Sequence, residues 1–221
     1  MAEKTSTDPT PRSPLAGCTI MIVAILSMLF LVGFVIWNMF KLDDEISKFT
    51  TSEAQPTPVP DLVSNAAAFN KFQSKLELFR DAHGKEELAT LKLSPEDINL
   101  AIATYDEFED LRGTFSILSI EDGRLHIAIS FPLGRKPMSK GELRFLNGTM
   151  IAEPQLAGDE IILVIDEILV PGAEVPDGFI GQMSPYRITM RYMEDKTLGP
   201  WMKNLTNLTV QGGLMVLTSS P

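Results

Sequence analysis

From Leu15 to Phe40 the chain reads LAGCTIMIVAILSMLFLVGFVIWNMF, 26 residues without a charge, with Arg12 before it and Lys41 after it. Coiled as a helix at about 1.5 Å per residue, the run is about 39 Å long, more than the roughly 30 Å of a bilayer's hydrocarbon core. It can span with tilt to spare, and it fixes the expected organisation. Residues 1–14 form a disordered cytoplasmic tail, 15–40 a transmembrane helix, 41–60 a proline-containing spacer and 61–221 a folded extracytoplasmic domain.

A removable secretory signal has an apolar core of roughly 7 to 15 residues and a small-residue cleavage site. This run is longer and ends in Trp37, Asn38, Met39, Phe40 and Lys41, an interfacial boundary and poor cleavage chemistry. The expectation is an uncleaved signal-anchor. Leu15-Ala16-Gly17-Cys18 looks like a bacterial lipoprotein cleavage tetrapeptide, but there the apolar run precedes the cysteine, whereas here it follows. Cys18 therefore reads as a cysteine at the membrane boundary, with reversible acylation the alternative. Basic residues near the span tie, Lys4 and Arg12 against Lys41 and Lys48. A short polar tail before the span and a large domain after it favour a cytoplasmic N-terminus. The protein is then placed in the inner (plasma) membrane, with its domain periplasmic or extracellular.

The 161 residues after Pro60 suffice for one core that buries about two thirds of its unfolded surface. They carry 15 Lys and Arg against 23 Asp and Glu, a net charge of −8. That sign argues against nucleic acid and against electrostatic adhesion to anionic lipid. The chain has a single cysteine, Cys18, so no disulfide within the domain can form and packing must supply its stability. Asn147, Asn204 and Asn207 begin Asn-x-Thr triplets, which are glycan acceptors only in a eukaryotic secretory setting.

Three prolines at alternating positions, Pro56, Pro58 and Pro60, make 50–60 a stiff spacer. Asp61 can cap a helix to about His83, with Leu62, Ala66, Phe69, Phe72, Leu76 and Phe79 on one stripe. Ser94-Pro95-Glu96-Asp97 is a strong helix start, followed by the stripe Ile98, Ala101, Ile102, Tyr105 and Phe108. The acids Asp106, Glu107, Glu109 and Asp110 lack the spacing of a calcium loop and read as a solvated turn. From Thr114 the period becomes 2: strands over 114–120 and 124–131 meet at Glu121-Asp122-Gly123, a hairpin signal. A strand over 142–153 follows, bent at Asn147-Gly148. After a turn at 157–159 comes EIILVIDEILV (160–170), apolar on both sides in its first half, the pattern of a central strand covered on both faces. Residues 176–183 suit a short helix, 186–193 fit a helix or a strand, and 198–201 a turn that buries Trp201. A C-terminal hairpin joins 205–210 to 214–217.

The basic loop Arg135, Lys136 and Lys140 is the one such cluster in an acidic domain and a candidate contact for lipid headgroups or an acidic partner. The histidines, His83 and His126, make no zinc site by themselves. No Gly-x-Ser-x-Gly, phosphate-binding loop or His-Glu-x-x-His occurs. Asp166 and Glu167, adjacent on a strand, are expected on opposite faces. No catalytic, metal or cofactor residues are assigned, and the chain reads as a non-enzyme.

Leu93-Ser94-Pro95-Glu96-Asp97-Ile98-Asn99, the hairpin ending Ile129-Ser130-Phe131-Pro132-Leu133, and Arg144-Phe145-Leu146-Asn147-Gly148 follow a single N-terminal span. This order resembles uncharacterised bacterial single-pass envelope proteins of the YpmS-like kind over residues 90–217. The resemblance implies an α+β envelope domain without an assigned activity and transfers no site residues.

The expectation is thus an α+β domain, two helices packed on a curved, mostly antiparallel sheet of five to seven strands, tethered by one transmembrane helix. Its leading function is a binding or scaffolding domain in the cell envelope, with an envelope protein or lipid as partner. The alternative is a carrier holding a lipid or other apolar ligand between helix 61–83 and the sheet, lined by Phe69, Phe72, Leu76 and Phe79. A cavity of several hundred Å³ there favours the carrier, and a packed interior excludes it.

Overall fold

The protein is described here by a computed structural model covering residues 14–85, 87–135, 142–196 and 198–220. The chain divides into two compact units, one ending at Ile46 and the other running from Ser47 to Pro221. The first is built on helix α1 (Pro14–Ser47), which continues through the charged KLDDEIS segment. Among the described residues α1 is the one helix long and apolar enough to cross a membrane, with a mean hydropathy of 2.8 over its apolar window. Asn38 sits near the end of the apolar run, and its Nδ2 donates to the Phe34 carbonyl at 2.7 Å, so the amide is satisfied within the helix.

The second unit is the α+β domain, and its strands pair antiparallel throughout. In order, its main elements are α2 (Ala66–Gly84), β1 (Ala89–Leu93), α3 (Pro95–Thr104), β2 (Phe115–Glu121), β3 (Arg124–Arg135), β4 (Leu143–Ala157), β5 (Glu160–Leu169), α4 (Asp177–Met183), α5 (Leu198–Lys203), β6 (Leu205–Gln211) and β7 (Leu214–Ser219). The seven strands among the described residues fall into two sheets, β1-β7-β6 and β2-β3-β4-β5. The C-terminal hairpin completes the smaller sheet by pairing β7 with β1, a strand that joins the two helices.

Local chemistry accounts for several elements. Ser94 caps α3 in a reciprocal box: its hydroxyl accepts from the Asp97 N–H, and the Asp97 carboxylate accepts from the Ser94 N–H at 2.8 Å. Asp61 instead organises the turn before α2, accepting from the Val63 N–H at 3.1 Å, so the helix starts at Ala66 and not at Asp61. Asp122 and Gly123 both have positive φ, 48° and 81°, as a tight hairpin turn between right-twisted strands demands. Strand β4 continues through Asn147-Gly148 without a break. Gly148 is required for another reason: a Cβ on it would lie 2.3 Å from the Leu169 carbonyl oxygen.

Three further differences from the sequence expectations have physical causes. Strand β5 is an edge, not a centre: Ile161, Leu163 and Ile165 are buried while Ile162 and Val164 are half-buried, and α4 lies against the strand. Its outer backbone is satisfied by residues 184–189, through a Leu163–Tyr186 bridge, Thr189 Oγ1 accepting from the Ile161 N–H (2.8 Å) and Ser184 Oγ accepting from the Ile165 N–H (2.9 Å). That segment is accordingly neither strand nor α-helix; it makes one bridge and then a 3₁₀ turn at Met190–Tyr192. Asp166 is the extra residue where the β4–β5 register shifts, so both Asp166 and Glu167 face solvent.

The proline segment is part of the domain. Phe49 is buried and packs edge-on to Phe179 at 4.9 Å, and Thr51 exchanges backbone hydrogen bonds with Phe145. Asn147, itself buried, donates to Thr51 Oγ1 (2.7 Å) and to the Glu53 carbonyl (2.9 Å), and accepts from Ser130 Oγ (2.7 Å) and the Gln55 N–H (3.1 Å). The domain therefore begins near Phe49, and 49–57 is not a free spacer. The same burial removes Asn147 as a glycan acceptor.

Candidate ligand cavity

Helix α2 lies on β1, and α3 bridges β1 and β2. Asn99 on α3 fixes that bridge by pairing with Ile117 as a strand would, accepting from its N–H and donating to its carbonyl, both at 2.8 Å. Gln73 Nε2 donates to the Tyr105 hydroxyl at 2.9 Å and ties α2 to the end of α3. Between these helices and the two sheets the interior is not filled. A cavity of about 340 Å³ remains, with walls that are overwhelmingly carbon.

Its floor consists of buried side chains from both sheets, including Leu91, Leu217, Ile117, Leu125 and Leu163. Half-buried side chains, among them Leu76, Phe108, Trp201 and Met202, complete the lining, and the cavity is partly open to solvent. Phe79 and Trp201 lie in tilted contact with ring centroids 5.7 Å apart, and Phe108 meets Tyr192 edge-on at 5.2 Å.

The polar groups on this wall are few. The Tyr105 hydroxyl is taken by Gln73, the Tyr192 hydroxyl donates to Asp110 (2.9 Å), and Thr189 is committed to β5. Burial pushes the Tyr192 phenol above its ordinary value, against the opposing pull of the Arg191 guanidinium, so it stays a neutral donor at physiological pH. Asp110 of the acidic turn also pairs with Arg191, which makes that turn partly structural. Arg80 and Glu107 differ from these: both line the cavity, and among the described residues neither has an ion pair or hydrogen bond.

No family model, curated protein or solved structure matches this chain.

Of the apolar lining expected on α2, Phe72, Leu76 and Phe79 face the cavity, whereas Phe69 packs into the neighbouring core. Lys136 and Lys140 of the basic loop lie outside the described residues, and of Arg135 only the backbone at the end of β3 is described. Among the described residues no group of three or more His, Cys, Asp or Glu side chains is placed to hold a metal. Sequence reasoning missed the contributions of β1, α5, β6, β7 and residues 188–192. Trp201, expected to be buried in a turn, is a half-buried wall residue on α5. A short apolar alternation at Ala89-Thr90-Leu91-Lys92-Leu93 is the signal that could have found β1.

Proposed function

We propose that the protein is a single-pass, membrane-tethered module whose extracytoplasmic domain holds an apolar ligand, without catalysing a reaction on it. The 340 Å³ cavity is the observation that carries this reading. Wall atoms that face unfilled space forfeit dispersion contacts, and a larger side chain at the lining residue Ala101 would be the direct remedy if stability alone mattered. A volume inside the range of small-molecule sites, about 300–1,000 Å³, with carbon walls and a few polar groups, suits a ligand instead.

The apolar helix α1 supports anchoring. Export of the domain, an N-terminus in the cytoplasm and a relation to YpmS-like envelope proteins belong to the same proposal, resting on the residues quoted above. The test is photolabelling of the full chain in lipid nanodiscs with a diazirine-bearing C16 alcohol. Adducts at cavity residues such as Leu205 and Leu217, abolished by Ala101→Phe, are expected; labelling confined to α1 overturns the reading. Protection of the domain from protease in sealed inverted vesicles is expected for an exported domain, and digestion there reverses the orientation.

A further inference from the structure

We infer that the edge strand β6 pairs antiparallel with β6 of a second copy of this chain, so that two three-stranded sheets become one continuous sheet. The inference is independent of what the cavity holds. From Asn204 to Pro221 the chain reads NLTNLTVQGGLMVLTSSP, 18 residues without a charged side chain. It is the longest such run outside the apolar span, in a domain whose net charge is −8. Two acidic copies repel each other over most of their surfaces, and this strip removes that barrier.

The hairpin determines which backbone groups of β6 face outward. Gly212 and Gly213 both have positive φ, 58° and 75°, so a two-residue turn closes on Gln211 and Leu214. Such a turn hydrogen-bonds its flanking pair, and antiparallel bonding alternates from there. Gln211 and Thr209 therefore commit their N–H and C=O to β7, while Val210 and Leu208 point theirs away from it. Among the described residues no backbone group on that outer side bonds to either. Other edges are covered or guarded: residues 184–189 bond the outer side of β5, Asn99 takes Ile117 on β2, and β1 carries the exposed Lys92. Strand β6 has no proline and no charge, and its register shift, between Leu205 and Asn207, lies before the regular stretch.

That geometry selects the same strand as occupant. With Thr209 opposite Thr209 of the second copy, Leu208 meets Val210 and Val210 meets Leu208, so every outward N–H and C=O of these residues gains a partner. Asn207 then faces Gln211, an amide opposite an amide with no charge between them. The two-fold contact closes on itself, whereas β6 against β1 would leave edges open and bring in Lys92. Seven residues of edge bury less than the about 1,200 Å² at which specific stable interfaces begin, so the contact is weak between free domains. Anchoring by α1 compensates by confining copies to one bilayer and raising their effective concentration.

The experiment is oxidative cysteine crosslinking of the full chain in liposomes, with Cys18→Ser removing the one native cysteine. Thr209 pairs with Val216, which lies between the lining residues Met215 and Leu217, so its side chain is on the sheet face away from the cavity. Thr209→Cys should crosslink to itself, because a pair not bonded through its own backbone brings Cα atoms to about 4.5 Å, within disulfide reach. Thr90→Cys, exposed on the opposite edge strand, should stay monomeric. A mixture of Asn207→Cys and Gln211→Cys copies should crosslink to each other. Adding Thr209→Lys to both should lower that yield about fivefold, the upper end for like charges directly opposite across strands. Replacing one of those lysines by Thr209→Glu should restore it, which a damaged fold would not do. Equal crosslinking at Thr209 and Thr90, or no recovery with the Lys–Glu combination, overturns the inference. A chain that stays monomeric in every case also overturns it and leaves the edge to a strand of a different protein.

Discussion

Replacing Asn147 with alanine tests whether residues 49–57 belong to the fold. The side chain makes four hydrogen bonds, two as acceptor from Ser130 and the Gln55 amide, and two as donor to Thr51 and Glu53. Their costs differ with exposure. Ser130 is 1% exposed, so its stranded hydroxyl carries most of a desolvation penalty, about 1.5–2 kcal/mol. The Gln55 N–H retains Ser130 Oγ at 3.2 Å, and Thr51 and Glu53 are exposed enough for water to replace the amide, so these add about 0.5 kcal/mol each. The sum is about 3 kcal/mol, a large part of an ordinary domain's stability. Urea unfolding of the full chain followed through Trp201 measures it, and hydrogen exchange localises it. The Thr51 and Gln55 amides should lose protection about a hundredfold while Ile127 in β3 loses only what the global change dictates. Asn147→Asp keeps both acceptor contacts but turns a carboxylate toward the Glu53 carbonyl, and should cost at least as much. A loss below about 1 kcal/mol with unchanged exchange at Thr51 and Gln55 would refute the latch and return 49–57 to the status of a spacer.

Asp97 supplies a pH-dependent term. Burial raises its pKa, but hydrogen bonds from Lys75 and Ser94 and the Lys75 charge outweigh this and hold it below the ordinary carboxyl value. A depressed pKa stabilises the fold above the unfolded value of about 3.9, and the contribution disappears as pH falls through the folded value. The stability gap between the native protein and Asp97→Asn, about 1–2 kcal/mol, should be flat from pH 7 to 5 and close below pH 4; a gap that widens in acid refutes the assignment. Asn99→Ala removes both bonds to Ile117 and should cost about 2 kcal/mol by urea unfolding, with α3 loosened in hydrogen exchange; a loss under 0.5 kcal/mol, about the size of an ordinary surface change, refutes its bridging role. Gly148→Ala must displace the Leu169 backbone and should cost about 2–3 kcal/mol, whereas Gly178→Ala, with open space around its Cβ position, should be neutral or stabilising in the same melts.

What could be read from the sequence was local. Ser94 and Asp97 are three residues apart and complete their capping box within one turn of chain, and Asp122-Gly123 closes a hairpin between immediate neighbours. The apolar span announces itself by composition. What escaped depends on distant partners. Strand β1 has five residues and is a strand because β7, at the far end of the chain, pairs with it. The proline segment looked free because its latch, Asn147, lies more than ninety residues away. Strand β5 looked central because Ile162 and Val164 are apolar, and that pattern cannot distinguish a second layer from the partial cover of α4. The cavity is assembled from two helices and both sheets; periodicity picked out the apolar stripes of α2 and α3, but only the fold brings them opposite the sheets.

The same distant contacts explain how an unfilled interior can persist. A cavity of this size invites collapse, because walls drawn together bury more carbon and recover dispersion contacts. Collapse requires α2, α3 or the two sheets to slide, and each is held by directional bonds outside the cavity. Asn99 fixes α3 to β2 through two bonds of 2.8 Å, Gln73 fixes α2 to Tyr105, and Lys75 adds an ion pair from α2 to the α3 cap. On the opposite wall, Thr189 and Ser184 hold β5 to the segment that contributes Ile188 and Tyr192. Moving any wall inward breaks such a bond in a place partly closed to water, at about 1–3 kcal/mol each, whereas a small inward shift of a cavity partly open to solvent recovers only some of the missing dispersion contacts. The frame thus resists the shifts that would close the cavity, while an apolar chain entering it gains the contacts without moving the frame. Loosening the frame by Asn99→Ala should therefore weaken labelling by the C16 alcohol in the folded protein, although Asn99 is not among the side chains that line the cavity.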